Sequence, residues 1–355
     1  MQKAIVIEQV GSPALLKERP IPEPGHNQLL VRVTATSLNP ADQKTRDEGL
    51  FFKGPPQVLG HEIAGEVIKI GQGAEGLQFT IGEHIFAQAN FFPGQTLTDA
   101  GALQQYVVVD ARFAAKIKEA GLSDDEATTI PVCAIASFIG LFHSTGLNLP
   151  VPRSANTPLP MPTELRNQAI LIIGGGSNSG RYAIQFSKLC GFSQIITIAS
   201  AKNEAELKDL GATHVIDRHS GFDENVRQVR EITGDNLIYA FDAVNMAPNQ
   251  NLGLTLLSDS KKGLLITLNR VSDADLEPAA IGRKAAGYAK RMTFGFSALY
   301  PELATVFWTN IAGWIKAGLV RPLKFVAVEG LDAVEVNRAL DGYREGQGQK
   351  IVVKP

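Results

Sequence analysis

Two cysteines in 355 residues leave little for sulfur chemistry to build on. Cys133 and Cys190 are far apart in apolar surroundings, too few for a disulfide framework or a four-cysteine zinc site. They point to a reducing, cytoplasmic setting. Net charge is nearly absent as well: 34 Lys and Arg against 36 Asp and Glu leave a formal charge of -2. No global basic field therefore draws the chain to nucleic acid or to a membrane surface. No uninterrupted apolar run approaches the roughly 18 residues that suggest a membrane span. The opening MQKAIVIEQVG has no signal-peptide layout. What is present is an ordinary globular composition, 44% hydrophobic and 20% charged, with length enough for two domains.

The first part is rich in short β-like runs bounded by Gly, Pro, Asp or Asn: LLVRVTATSL (29–38), EIAGEVIKIG (62–71), EHIFAQA (83–89) and LQQYVVVD (103–110). SDDEATTIPVCAIASFIGLF (123–142) reads as helix with Ser123 as N-cap, and Pro131 divides it in two. Five prolines make 148–168 a loop. From 169 onward strands alternate with helices. Strands are expected at 169–175, 194–200, 214–218, 238–244, 263–268 and 291–297, with helices at 180–190, 203–210 and 222–233. That alternation predicts an α/β fold with a doubly wound parallel sheet. The tail offers a helix (301–317), a second helix (331–345) and a closing strand KIVVK, whose likeliest host is the N-terminal β unit.

The stretch ILIIGGGSNSG (170–180) falls at the first strand-to-helix turn of this alternating region. Gly174, Gly175 and Gly176 bare the backbone so that a pyrophosphate can approach the amides at a helix N-terminus. Gly180 lets that helix pack closely on the strand. Ser177, Asn178 and Ser179 add donors. An NAD-binding unit usually places an acid about 20 residues later, at the end of the second strand. Here Ser200 stands there, followed by Lys202 and Asn203, with no acid before Glu204. A hydroxyl and a cation suit the 2′-phosphate of NADP, which an Asp would repel. Arg218, ending the third strand, could reach the same phosphate or stack on the adenine; the alternative is that Lys202 and Arg218 are solvated surface charges. The ends of later strands, at Leu268 and Phe294, should face the nicotinamide.

GHEIAGEVIKIG, SLNPADQK (37–44), GGGSNSG, IASAKN, LGATHVID (210–217) and REGQGQKIVV, in this order, resemble the medium-chain dehydrogenase/reductase superfamily over nearly the full chain. Within it the chain looks like the zinc-independent quinone oxidoreductase branch and the fungal trans-acting enoyl reductases. The resemblance implies a GroES-like β domain (1–133 with 299–355) and a Rossmann dinucleotide-binding domain (134–298). It also suggests a homodimer joined through edge strands near 291–297 and a polyketide-synthase-like partner. The chain departs from the zinc alcohol dehydrogenases in having Asn39 where they keep a cysteine. His61 survives and Cys133 lies near a third ligand position, but one thiolate and one imidazole do not close a catalytic zinc site. No metal is therefore expected, His61 reads as an imidazole satisfied by hydrogen bonds, and Cys133 as a small buried hydrophobe.

Conjugate reduction follows as the expected chemistry: hydride from NADPH to the β-carbon of an enone, enoyl thioester or quinone, with the enolate met by hydrogen-bond donors. The NPADQK loop implies Asn39, Asp42 and Lys44 as polar candidates near the cofactor. Lys44 could bond a ribose hydroxyl or the oxyanion, or be a surface lysine; Asp42 could instead cap the helix ADQKTRDEG. Phe51, Phe52, Phe91, Phe92 and Phe138 are candidate lining for an apolar, small-molecule or carrier-bound substrate, or else packing residues. Two alternatives stay open: an NADP-dependent alcohol or carbonyl oxidoreductase, and a nucleotide-binding biosynthetic protein without net redox turnover.

Overall fold

The computed structural model describes residues 1–74, 79–89, 98–152, 165–245, 249–270, 274 and 276–355. Two compact units divide them: Met1–Val132 with Phe296–Pro355, and Cys133–Gly295.

The first unit contains β1 (Gln2–Ile7), β2 (Leu15–Arg19), β3 (Gln28–Ser37), β4 (Gln57–Val58), β5 (Glu62–Ile70), β6 (His84–Gln88), β7 (Tyr106–Asp110) and β8 (Ala114–Lys116). The second contains β9 (Ala169–Ile173), β10 (Gln194–Ala199), β11 (His214–Asp217), β12 (Tyr239–Asp242), β13 (Gly263–Thr267) and β14 (Tyr288–Met292). The chain then returns to the first unit with β15 (Phe325–Glu329) and β16 (Lys350–Lys354).

In the first unit a small sheet runs β2-β1-β4, and a larger one runs β15-β16-β3-β5-β6-β8, with β7 also paired to β3. Leu29, Val31, Val33, Ile63, Val67, Ile85, Val107 and Val109 bury one face of the larger sheet. β16 docks antiparallel on β3, Val352 opposite Ser37, so the tail strand has the host its sequence called for. The expected pair of helices is there: Asp124–Ala127 is capped by Ser123, and Pro131 opens the second, Pro131–Phe142. The span from Asp124 to Phe142 is long and apolar enough to pass for a membrane helix, yet 83% of it is buried inside the protein.

The second unit is an all-parallel sheet in the order β11-β10-β9-β12-β13-β14. Counted within the unit that is 3-2-1-4-5-6, the doubly wound order whose direction reverses between its first and fourth strands. β9 is buried at every position, as a strand covered on both faces must be. Its Leu171 and Ile173 pack with Ile196, Ile198, Ala240 and Leu265, each large side chain contributing about 1.5–3 kcal/mol on burial. The last strand lies at Tyr288–Met292 rather than 291–297. Pairing fixes Met292 opposite Thr267, and after the Thr293 amide bonds the Thr267 carbonyl the chain leaves the sheet.

Candidate functional site

Register brings the carboxyl ends of the parallel strands level. Ile173 pairs with Ile198 and with Asp242, Ala199 with Asp217, Asp242 with Thr267, and Thr267 with Met292. Gly174, Ser200, Arg218, Val244, Leu268 and Phe294 therefore emerge along one edge, and the reversal of strand order falls beside Gly174. This is where an open parallel sheet binds its ligand.

The glycine turn at that edge has little room for side chains. Gly174 has φ +79°, and a Cβ on it would lie 2.6 Å from Val244. A Cβ on Gly175 would meet Thr197 Oγ1 at 2.0 Å, and one on Gly180 would meet the Gly174 carbonyl oxygen at 2.2 Å. Ser177 caps the Asn178–Cys190 helix, accepting from the Gly180 amide at 3.0 Å. The first amides of a helix have no acceptor within it, so those of Asn178 and Ser179 stay available to an anion. Arg181, which the sequence did not single out, braces the turn: its guanidinium donates to the Gly176 carbonyl and pairs with Glu206 at 3.0 Å. The only signal for it in the sequence is a cation one position past the last glycine.

Asn203 lies on the same turn, its Nδ2 2.6 Å from where a Gly176 Cβ would be. Lys202 and Arg218 are exposed and Ser200 half-exposed. Arg218 Nε donates to His219 Nε2 at 3.2 Å. Val244 and Phe294 expose 42% and 38% of their surface, an apolar rim on an otherwise polar edge, with Leu268 partly buried beside them. Asp242 underlies this rim. Burial pushes its carboxyl above the usual range, opposed by the Asn245 and Val244 amides and the Asn245 side chain. The bare cradle, the free helix amides and the cations fit a phosphorylated dinucleotide.

In the first unit the NPADQK segment forms the Pro40–Glu48 helix and sits in a buried polar network. Asp42 is wholly buried. Its carboxylate accepts from the Asn39 amide at 2.8 Å, the Gly60 amide at 3.0 Å and His61 Nδ1 at 2.7 Å. Capping is thus one of its tasks and holding His61 another. Asn39 is buried, with Nδ2 donating to Glu62 at 2.6 Å and Oδ1 accepting from Lys350 Nζ at 2.8 Å. Glu62 also accepts from Ser37 Oγ at 2.7 Å and the Val132 amide at 2.6 Å, and pairs with Lys350. Lys44 lies half-buried on the helix.

His61 is satisfied on one side only. Nδ1 has Asp42, but Nε2 is buried without a hydrogen-bond partner among the described residues. The expectation of a fully bonded imidazole is corrected to that extent: the aromatic neighbours Phe51 and Phe296 offer the second nitrogen nothing polar.

The comparisons agree with this architecture. The model of the alcohol dehydrogenase GroES-like domain matches residues 25–119, and that of the zinc-binding dehydrogenase matches 180–274. The chain belongs to the medium-chain dehydrogenase/reductase superfamily. It is 34% identical to trans-enoyl reductase gkaC of Penicillium citrinum over 251 residues, which are 69% of this chain and 64% of that one. The match therefore spans less than two thirds of that relative's length. A putative zinc-dependent alcohol dehydrogenase of Rhizobium etli shares the fold at TM-score 0.80 and 22% identity, covering 100% of this chain and 98% of its own. So does mycobacterial Rv1454c complexed with NADPH, at TM-score 0.74 and 20% identity, covering both chains fully.

The zinc named in the family model does not fit this medium-chain dehydrogenase/reductase. Among the described residues no three His, Cys, Asp or Glu side chains are grouped to hold a metal ion. Asn39 stands in an amide network with the Lys350 ammonium, and a cation already beside its oxygen disfavours a second. Of the phenylalanines, Phe138 takes the packing alternative: it is fully buried against Phe142 and Phe186. Phe52 packs with the Ile5, Ile7 and Leu38 cluster, while Phe51 stays beside His61. Phe91 and Phe92 lie outside the described residues. Cys133 is buried.

Proposed function

We propose that this chain is an NADPH-dependent reductase of activated carbon–carbon double bonds that works without zinc. The observation that carries the reading is the glycine turn at the strand-order reversal, with Ser200 and Lys202, and no acid, at the end of the second strand and Arg218 following the third.

Gly174, Gly175, Gly176 and Gly180 with the amides of Asn178 and Ser179 would hold the pyrophosphate. Ser200, Lys202, Asn203 and Arg218 would hold the 2′-phosphate, where charge-assisted hydrogen bonds discriminate strongly. Leu268 and Phe294 would flank the nicotinamide and exclude water. When bound, NADPH supplies a hydride. The protein then has to orient an apolar acceptor and meet the charge that develops on its oxygen. Trans-enoyl reductase gkaC and the NADPH complex of Rv1454c support this direction. The carrier-bound form of the substrate, a polyketide-synthase-like partner and a homodimer belong to the proposal through family resemblance alone.

The test is titration of the purified protein with NADPH and NADH, followed by turnover of enones, quinones and ketones with metal analysis of the same sample. NADPH-selective reduction of enones or quinones by metal-free protein is the expected result. Reduction of ketones alone, or stoichiometric zinc, would move the chain to the alcohol or carbonyl oxidoreductases. Binding of NADPH with no turnover of any acceptor would make it a nucleotide-binding protein without net redox chemistry.

A further inference from the structure

Acids are missing at the end of β10 but not far beyond it. Ser200, Ala201, Lys202 and Asn203 run into the helix Glu204–Leu210, whose first turn holds Glu204 and Glu206. A carboxylate in this region bears on the choice of nucleotide. Beside a bare ribose it accepts from the 2′-hydroxyl; beside a 2′-phosphate it repels the ligand and competes for its cations. Each of the two acids has a basic partner. Glu204 pairs with Lys208 at 2.7 Å along its own helix, and Glu206 pairs with Arg181 at 3.0 Å, from the first turn of the Asn178–Cys190 helix.

The two pairs differ in weight. Glu204 and Lys208 expose 48% and 52% of their side chains, and an exposed pair one turn apart is screened and worth little. Glu206 and Arg181 expose only 28% and 17%, and the guanidinium is held at its other end by donating to the Gly176 carbonyl. Gly176 in turn faces the segment after β10: a Cβ on it would lie 2.6 Å from Asn203 Nδ2 and 3.9 Å from the Ala199 Cβ. The guanidinium therefore spans from the glycine turn to the helix just past Lys202 and Asn203. In this fold the adenosine ribose lies along that stretch. Lys202, exposed and one turn before Glu206, is the cation that a carboxylate released from Arg181 would meet.

We infer that Arg181 is a specificity-determining residue: by holding Glu206 it keeps that carboxylate away from Lys202 and from the 2′-phosphate of the nucleotide. Arg181 acts through Glu206 and touches no phosphate itself. Its bond to Gly176 fixes the guanidinium in place, and its charge cancels the one acid near the site that solvent does not screen. The inference rests on the NADPH reading and names the contact that makes the segment after β10 fit for a phosphate.

The full-length protein is titrated by calorimetry with adenosine 2′,5′-bisphosphate and with adenosine 5′-monophosphate, which differ by the 2′-phosphate alone and need no turnover. The native protein should prefer the bisphosphate by about tenfold or more. Arg181→Met should cut that preference about tenfold, the cost of a like charge left beside the ligand. Arg181→Met/Glu206→Gln should return the preference to within about twofold of native, although its brace on Gly176 is equally lost. Glu206→Gln alone leaves the guanidinium unopposed and should raise the preference about threefold. It removes no bond to the glycine turn, so it decides the matter even where Arg181→Met does not fold. A guanidinium that only braces Gly176 gives a different pattern: Arg181→Met weakens both nucleotides by one factor, or Glu206→Gln leaves their ratio unchanged. Either result would overturn the inference. A native protein that prefers the bisphosphate, with variants that keep its ratio, loses this inference alone; a native protein with no preference loses the NADPH reading with it.

Discussion

Lys350 and Glu62 form an ion pair with both side chains fully buried, although 288 positions separate them in the chain. The Asn39 amide bonds both, and the group ties β16 to β3 and β5. Removing one partner leaves the other charged and buried. Lys350→Met should therefore cost about 3–5 kcal/mol, more than the double variant Lys350→Met/Glu62→Gln, in which no charge is stranded. Urea unfolding of the three proteins measures this. A single variant as stable as the double would show that the pair does not hold the tail strand.

The glycine turn makes a sharper prediction, because its constraint is steric. A methyl group on Gly180 would sit 2.2 Å from the Gly174 carbonyl oxygen, forcing the helix off β9. Gly180→Ala should lower stability by about 1–3 kcal/mol, the usual range for strain in a packed site, and weaken NADPH binding at least about tenfold. Gly348→Ala, where nothing lies within 4 Å, is the control and should be neutral within about 0.5 kcal/mol. Calorimetric titration alongside melting curves separates the two effects, and wild-type affinity in Gly180→Ala would rule out the turn as the binding site.

The proposed cofactor choice puts weight on two exposed cations, Lys202 and Arg218. If Lys202 and Arg218 meet the 2′-phosphate, Lys202→Ala and Arg218→Ala should each cut NADPH affinity by roughly tenfold or more, the worth of one charge-assisted hydrogen bond, and leave NADH unchanged. Ser200→Asp should reverse the preference by repulsion. Fluorescence titration with both nucleotides reads this directly. An unchanged ratio in all three variants would mean the phosphate lies elsewhere or is absent.

These contrasts explain which parts of the molecule could be read from sequence. The glycine turn was legible because its constraint is local: strand, bare backbone, cap and helix lie within Ala169–Cys190. Pro131 and Ser123 likewise act on their immediate neighbours. The Asn39–Glu62–Lys350 network was not legible, because its partners come from a helix N-cap and two strands brought together only by folding. Asp42 was half read: its bond to the Asn39 amide is three residues away, its bond to His61 nineteen. Phe138 stayed open between core and lining because an aromatic residue has the same character in a core as beside a ligand, and only packing against Phe142 and Phe186 decides.

Acid should loosen the contact between the Pro40–Glu48 and Ala333–Arg344 helices. Arg46 bonds Asp47 at 2.6 Å, Asp341 at 2.7 Å and the Asn337 side chain at 3.1 Å. Burial raises the Asp47 carboxyl, but hydrogen bonds from Arg46 and Gln43 and the charges of Arg46 and Arg344 outweigh it, so the group lies below its ordinary value of 3.8. A folded-state value below the unfolded one contributes stability that is complete above the unfolded value and lost as pH falls through the folded one. Asp47→Asn should therefore be less stable than wild type at neutral pH and converge on it below about pH 4. Denaturant unfolding at stepped pH checks the sign, and a constant difference across the range would contradict it.

Cys190 offers a readout of the glycine-turn helix that does not depend on turnover. It is the last residue of Asn178–Cys190, and burial pushes its thiol up to about 12, with its own amide and that of Phe192 opposing. So little thiolate forms at neutral pH that iodoacetamide should leave Cys190 unmodified in the native protein and alkylate it freely in denaturant. What native labelling occurs must pass through opening of the helix. A ligand gripping the turn at the other end of this helix opposes that opening. Saturating NADPH, at about 100 times its dissociation constant, should slow the labelling by up to about 100-fold. Peptide mass spectrometry over a time course measures the rate. Labelling at the denatured rate would show that the thiol is not sealed, and a rate indifferent to NADPH would show that the nucleotide does not hold this helix.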